Sequence, residues 1–352
     1  MINKKNFFEE IRVLFVLIVV AFTVKATLVE IYVVPTGSME NEILVGDMLI
    51  GNKFIYGMRT PTWVGLPYSR IGFDIPWIRL PKYKPVENGD VTIFEFPRDP
   101  FQKYVKRCIG IAGDRVSINE GNITLNGKAM EFPENAKYIK GEIYGPEKEQ
   151  RLYPMFIGNM DNINEFIVPY KGMVINFDEV EEWISVITLL VQDGNVVTMG
   201  EREFTVIDPQ EVGRTHGFLK YMIMGFFMNS SYVQQKQYKD RSNYVTDLVK
   251  QNRSNGLYNP WEFNIKAEEK EIIYNNLKIN GELVKDLISY SVKNNFYFFI
   301  GDNRDNSYDS RFWGFVPENQ ILGTPLVTLI NLANIKLIFN DPFKFLRFNI
   351  VS

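Results

Sequence analysis

The sequence predicts a mainly β protein: an N-terminal transmembrane helix, then a sheet-rich domain that carries a large inserted α+β subdomain. Three observations predict it. A long apolar run near the N-terminus has the length of a spanning helix. After it come short β-branched or aromatic runs bounded by Gly, Asn, Asp or Pro, the pattern of strands in a sheet. Between residues 130 and 276 that texture gives way to charged, helix-compatible stretches such as "DEVEEWISVITLLV". The expected organisation is a cytoplasmic N-terminus over 1–10, an anchor over 11–34, a β domain over 35–129 and 277–352, and an insert over 130–276.

The anchor is "IRVLFVLIVVAFTVKATLVEIYVV", residues 11–34. A cleaved signal peptide would have a shorter apolar core and then a small-residue site, whereas this run continues into bulky residues. A buried core helix would show a polar face, which residues 14–22 lack. Lys25 and Glu30 interrupt the run, and snorkelling toward the interface would accommodate them. Lys4, Lys5 and Arg12 at its start place that end in the cytoplasm by the positive-inside tendency. No later run is long enough to return, since "FLKYMIMGFFM" is short and carries a lysine. The expected location is therefore the cytoplasmic membrane, single-pass, with nearly the whole chain extracytoplasmic.

Strands follow in order: "DMLIGNKF", a Pro/Trp/Phe-rich excursion over 56–85, then "GDVTIFEFP", "KYVKRCIGIAGDRVSI" and "NITLNGK". "ITLNGKAM" and "LKINGELV" both read as hairpins turning on Asn-Gly. The sheet pattern resumes in "NNFYFFIGDNRDNSYDSRFWGFVPENQILG", and residues 324–352 close the domain as strand or short helix.

Composition excludes several functions. The 352 residues carry a formal charge of −3 with no basic stripe, so nucleic acid is not an expected partner. Cys108 is the only cysteine, which excludes an intramolecular disulfide and a zinc site built on cysteines. His216 is the only histidine, which argues against the common transition-metal sites. No metal and no cofactor is expected.

"PTGSMENEILVGDM" places Ser38 just after the apolar run. A serine is a weak nucleophile until a base takes its proton. His216 lies in the insert, far from the motif-dense regions, and reads as a surface or core residue. A desolvated lysine is the other solution, because burial lowers its pKa until it is neutral near pH 7. In "KYVKRCIGIAGD" strand alternation puts Tyr104, Lys106 and Cys108 on one face and Val105, Arg107 and Ile109 on the other. Lys106 thus shares a face with a residue type that prefers burial; taken alone this is weak, since most strand lysines point to water.

Three stretches in a fixed order after the anchor supply the context. "PTGSMENEILVGDMLIGNKFIYG", "GDVTIFEFPRDPFQKYVKRCIGIAGDRV" and "FFIGDNRDNSYDSRFWGFVP" resemble the serine, lysine and Gly-Asp-Asn-Arg-Asp blocks of the type I signal peptidases, membrane-anchored endopeptidases with a Ser–Lys dyad. The resemblance implies a signal-peptidase-like fold with Ser38 as nucleophile and Lys106 as general base. Lys103 is the competitor on the opposite face. It further implies oxyanion donors at the Ser38 N–H and the Thr36 hydroxyl, with Ser307 orienting the lysine and Asp309 with Arg311 as a supporting ion pair. Gly301, Asp302 and Arg304 would support the site. Partners would be secretory preproteins, membrane lipid and, as a candidate, the secretion translocon.

Other readings stand beside these. "GDNRDNSYDS" could be a polar turn, with Asp302, Asn303 and Arg304 fixing it, or a calcium loop through Asp302, Asp305 and Asp309. An EF-hand would need a central glycine and a terminal glutamate, both missing here, with Trp313 at the latter position. Cys108 reads as buried filler. Trp63, Phe73, Trp77 and Ile78 suit either a core or a lipid interface. Four residues separate Val34 from Ser38, a reach of at most roughly 14 Å, so the nucleophile would sit close to the membrane's outer face. The alternative class is a non-catalytic, membrane-anchored β-module that binds envelope or secreted proteins. A self-cleaving repressor-like Ser–Lys protease would need a DNA-binding domain where the apolar run stands.

Overall fold

The computed structural model describes residues 9–17, 19–20, 28–65, 70–131, 133–138, 143–217, 220–221, 224–225, 228–263, 270–332, 334 and 346–351. The strands are β1 (Val29–Val33), β2 (Asp47–Asn52), β3 (Trp63–Gly65), β4 (Gly72–Asp74), β5 (Val91–Phe96), β6 (Asp99–Gly110), β7 (Arg115–Asn119), β8 (Asn122–Leu125), β9 (Lys128–Ala129), β10 (Gly158–Asn159), β11 (Asn162–Ile167), β12 (Val174–Asn176), β13 (Val197–Met199), β14 (Arg202–Phe204), β15 (Leu257–Tyr258), β16 (Leu277–Ile279), β17 (Glu282–Leu283), β18 (Ser289–Ser291), β19 (Phe296–Ile300), β20 (Val316–Pro317), β21 (Ile321–Asn331) and β22 (Leu346–Ile350). The helices are α1 (Trp183–Gln192), α2 (Pro209–Arg214), α3 (Ser230–Ser254), α4 (Lys270–Asn276), α5 (Val284–Leu287) and α6 (Ser310–Trp313).

One eight-stranded sheet, in the order β1-β2-β21-β5-β6-β19-β20 with β22 also paired to β21, carries Lys106 on β6 and flanks the turn of Ser38 and the Gly-Asp-Asn-Arg-Asp block. β5 and β19 are buried along their whole length, and their phenylalanines build the core that seals the centre of the sheet. Phe94 stacks on Phe299 with ring centroids 4.5 Å apart, and Phe96 packs edge-on to Trp313 of α6. A second sheet, β10-β11-β7-β8-β9, packs its Val116, Ile118 and Phe166 against Phe298 and Phe315.

The apolar run does not continue as helix to Val34. Residues 9–17 and 19–20 are helical, but Val29–Val33 is strand β1, paired antiparallel with β2 from Val29↔Asn52 to Val33↔Met48. Val29, Ile31 and Val33 are β-branched and alternate with Glu30 and Tyr32, a period-2 pattern that suits a strand. Glu30 is therefore a sheet residue, paired with Lys53 at 3.2 Å, and does not snorkel. Lys25 lies outside the described residues. Among the described residues no helix is long and apolar enough to cross a membrane.

Strand pairing also cuts across the expected insert boundaries. β10 and β11, inside 130–276, extend the sheet of β7, while β16, just after it, pairs with β13 of the insert. Both Asn-Gly hairpins form, with positive φ at Asn126, Gly127, Asn280 and Gly281, the backbone that a type I′ turn requires. The first hairpin, β8–β9, belongs to the β7 sheet; the second, β16–β17, closes the five-stranded insert sheet β15-β14-β13-β16-β17. The insert has its own core around Trp183, Leu190, Phe204 and Leu277. Its α2 docks on the start of β6, where Gln102 Nε2 donates to the Glu211 carbonyl at 2.9 Å.

In the excursion, β3 and β4 form a hairpin. Trp63 packs edge-on to Phe101 and Trp77 lies under the Arg59 guanidinium, whereas Phe73 is 65 % and Ile78 64 % exposed. In the closing residues 324–352, β21 and β22 are strand, and residues 332 and 334 are 3-10 helical.

Candidate active site

Lys106 lies in β6 opposite Thr92 of β5, one pleat from Tyr104 and Cys108, as alternation requires. Cys108 is fully buried in the aromatic core, which raises its thiol pKa well above the ordinary value and leaves it an inert filler. Lys106 is 4 % exposed, and its Nζ sits 5.3 Å from the centre of the Tyr104 ring. Nζ is 2.5 Å from Ser38 Oγ and 3.2 Å from the Val105 carbonyl. Burial pushes the lysine down from its usual range to about 8, against the opposing pull of Asp309 and Asp302. A buried amine that is substantially neutral near pH 8, in contact with a serine hydroxyl, can accept that hydroxyl's proton.

The competitor Lys103 is committed elsewhere: its Nζ bonds Glu95 at 2.8 Å and the Pro100 carbonyl. His216 stacks on Tyr244 in the insert, with centroids 3.8 Å apart.

Ser38 opens a compact turn. Glu40 N–H donates to the Gly37 carbonyl at 3.1 Å and Ile43 N–H to the Met39 carbonyl at 3.0 Å. The residues after β19 grip this turn. Asn303 N–H donates to the Ser38 carbonyl at 3.1 Å, and Asn303 Nδ2 to the Gly37 carbonyl at 2.8 Å. Among the described residues the Ser38 N–H has no hydrogen-bond acceptor, and Thr36, two residues earlier, is exposed. Both expected oxyanion donors thus remain available to a ligand.

Gly301 makes the close approach possible. A Cβ there would lie 2.3 Å from Ser307 Oγ and 2.5 Å from the Ser38 carbonyl oxygen. Neither distance is tolerable, and the second neighbour is backbone. Gly301→Ala is expected to displace Ser38 from Lys106 and lower turnover about 10²-fold, the typical cost of misplacing a reacting group by about 1 Å. Steady-state kinetics beside a melting curve checks this; wild-type turnover would refute it.

Two buried ion pairs frame the site. Arg107 points away from Lys106 on the opposite pleat and forks Asp302, Nε–Oδ1 at 2.9 Å and Nη2–Oδ2 at 2.8 Å. Arg311 forks Asp309, Nε–Oδ1 at 2.8 Å and Nη2–Oδ2 at 2.9 Å, and also donates to the carbonyls of Met160 and Arg304. Burial alone would push the Asp309 carboxyl up, but Arg311 more than offsets it and holds that carboxyl below the usual range. Asp309 also accepts from Gly301 N–H at 3.1 Å and caps α6. Both carboxylates thus hold arginines, which leaves "GDNRDNSYDS" as a turn tied down by its own side chains. Arg304 is 2 % exposed, and its main-chain N–H donates to the Lys137 carbonyl.

Ser307 is buried, and its Oγ makes no hydrogen bond to Lys106 in this arrangement. It lies near enough to Asp309 to help hold that carboxyl down, while its geometry falls short of a hydrogen bond. The lysine is aimed here by Ser38 and the Val105 carbonyl.

Sequence reading missed the part played by Arg107 and the grip of Asn303 on the serine's turn. A signal existed for the first: alternation buries Arg107 opposite Lys106, and a buried guanidinium demands a carboxylate. Nothing local marks Asn303 as the residue that grips the serine's turn.

A sheet-rich body that seats a serine hydroxyl against a buried lysine is built as a serine peptidase is built. The family model described as "Signal peptidase, peptidase S26" matches residues 7–220 and 222–330. The chain belongs to that family of serine peptidases. It is similar to a protein named signal peptidase I from Buchnera aphidicola of Schizaphis graminum, 25 % identical over 91 % of this chain and 74 % of the relative. It is likewise similar to signal peptidase I of Rickettsia bellii, 33 % identical over 49 % of this chain and 57 % of the relative. A crystal structure of a signal peptidase I from Enterococcus faecalis aligns with 68 % of this chain and 97 % of that one at 14 % identity and a TM-score of 0.22, too loosely to carry argument.

Proposed function

We propose that this chain removes N-terminal signal peptides from secretory preproteins, with Ser38 as the acylated nucleophile and Lys106 as its general base. The observation that carries the reading is the 2.5 Å contact between Lys106 Nζ and Ser38 Oγ, made by a lysine that burial brings to about 8. Neutral Lys106 takes the Ser38 proton as Oγ attacks the scissile carbonyl. The Ser38 N–H and the Thr36 hydroxyl hold the developing oxyanion. The proton passes to the leaving amine, and the mature protein departs. Lys106 then activates the water that frees the signal peptide from Ser38. Ser307 receives the lysine when its bond to Ser38 breaks.

Ser38 is only 6 % exposed, which supports a slim, extended substrate with small side chains one and three positions before the cut. A site close to the outer face of the cytoplasmic membrane is supported by exposed apolar side chains, and a cytoplasmic N-terminus by Lys4, Lys5 and Arg12. Leu14, Phe15 and Leu17 lie on the N-terminal helical residues, with Phe73 and Ile78 on the excursion. The membrane, and the translocon that delivers precursors to it, would be the partners.

Purified full-length protein in detergent is expected to cut a preprotein after an Ala-x-Ala site. Ser38→Ala, with an unchanged melting profile, should lower turnover by about 10³-fold or more. Cleavage by Ser38→Ala at the wild-type rate would sink the proposal.

A further inference from the structure

The family match ends at residue 330, and β22 (Leu346–Ile350) lies beyond it. Leu346, Phe348 and Ile350 are exposed, while Arg347 and Asn349 between them turn inward. Both inward side chains end on one atom. Arg347 Nη2 donates to the Glu42 carbonyl oxygen at 3.0 Å, and Asn349 Nδ2 donates to the same oxygen at 3.1 Å. Arg347 Nε also pairs with Asp47 Oδ2 at 3.2 Å. Asp47 is fully buried and accepts from Leu44 N–H at 2.8 Å and from Asn331 Nδ2 at 2.7 Å. Asn331, the last residue of β21, donates to the Val45 carbonyl as well.

Glu42 ends the turn that Ser38 begins. The start of that turn is gripped by Asn303. Its end is gripped by β22 through the Glu42 carbonyl, while the Glu42 carboxylate meets Arg107 at 3.5 Å. The two anchorages come from separate parts of the sheet, the residues after β19 and the β22 strand paired to β21, and close on one seven-residue segment, 37–43. A turn fixed at one end pivots about it; fixed at both, it holds Ser38 Oγ in one place.

We infer that Arg347 and Asn349 are positioning residues, which keep Ser38 aligned on Lys106 by gripping the far end of the nucleophile's turn. The inference rests on Ser38 being the nucleophile. Neither side chain reaches Ser38 Oγ or Lys106 Nζ, so both act through the main chain. Loss of the grip lowers the rate of acylation without changing the lysine's environment or the surface that receives the substrate.

The test is preprotein cleavage by full-length protein in detergent micelles, comparing Arg347→Ala, Asn349→Ala and the double variant with wild type and Ser38→Ala. Each single variant is expected to lose 10- to 100-fold in kcat, since a shift of about 1 Å costs about 10². KM should stay within twofold, and the acid limb of the pH profile should stay in place. Asn349→Gln, which keeps an amide donor, and Arg347→Lys, which keeps the charge beside Asp47, should each recover part of the loss. Asn349→Ala removes no charge and tests the grip even if Arg347→Ala fails to fold. A kcat within twofold of wild type in a folded Asn349→Ala overturns the inference. So does a loss that appears in KM, or one that disappears at a temperature where the variant is as fully folded as wild type. Full cleavage by Ser38→Ala would instead overturn the assignment of the nucleophile, which separates the two failures.

Discussion

Lys106→Met is expected to abolish preprotein cleavage, lowering turnover by at least about 10³-fold, and at the same time to make the protein more stable. Methionine fills the same volume without the amine, so Ser38 loses its base while the packing against Tyr104 remains. The stability gain follows from the lysine's depressed pKa. In the folded chain it loses its proton at about 8, in the unfolded chain at about 10.4. Between those values the unfolded state binds the proton and the native state does not, so stability rises with pH across that window. Below about pH 8 the native state carries a buried ammonium, at a cost of roughly 3 kcal/mol at 1.36 kcal/mol per unit. Lys106→Met removes that cost, less whatever the lost bond to Ser38 contributed, so its melting temperature at pH 7 should exceed that of wild type. The same titration sets the wild-type acid limb: kcat/KM rises about tenfold per pH unit up to about 8 and then levels. A variant that still cleaves at the wild-type rate would remove Lys106 from the mechanism. An acid limb near 4 would assign the base to a carboxylate.

Arg311→Met should cost about 3–5 kcal/mol, the typical penalty for leaving one partner of a buried ion pair uncompensated. Arg311 is 1 % exposed and its partner Asp309 is fully buried. The substitution also strips a donor from the Met160 and Arg304 carbonyls. The consequence reaches the chemistry, because Asp309 favours the charged lysine and Arg311 opposes it. With the guanidinium gone, the uncompensated carboxylate holds the proton on Lys106, and the acid limb moves to higher pH. Denaturant unfolding and a pH profile measure both effects. A loss under about 1 kcal/mol with an unmoved acid limb would contradict this account of the pair.

Much of the fold is local in origin. The strand of Lys106 is legible because β-branched and aromatic residues alternate around it, and the Asn-Gly hairpins because only such residues take positive φ in succession cheaply. The helix expected through Val34 fails at β1 because hydropathy does not distinguish a strand from a span: Val29, Ile31 and Val33 satisfy both patterns until β2 offers its edge. The insert's limits were illegible because strand pairing joins segments distant in the chain, so β11 goes to β7 and β16 to β13.

At the site the division is the same. The order of the motifs, the lack of a histidine near the serine, and the strand face that Lys106 shares with Cys108 are properties of the sequence. Which lysine meets Ser38 was decided by tertiary structure: Glu95 takes Lys103, and the core around Tyr104 desolvates Lys106. The sequence alone also could not say that Arg107 answers Asp302 across 195 positions, or that Arg347 and Asn349 close on Glu42 across more than 300. Those contacts depend on packing between strands whose separation along the chain carries no information about their separation in space, and on burial, which turns an ordinary lysine into a base.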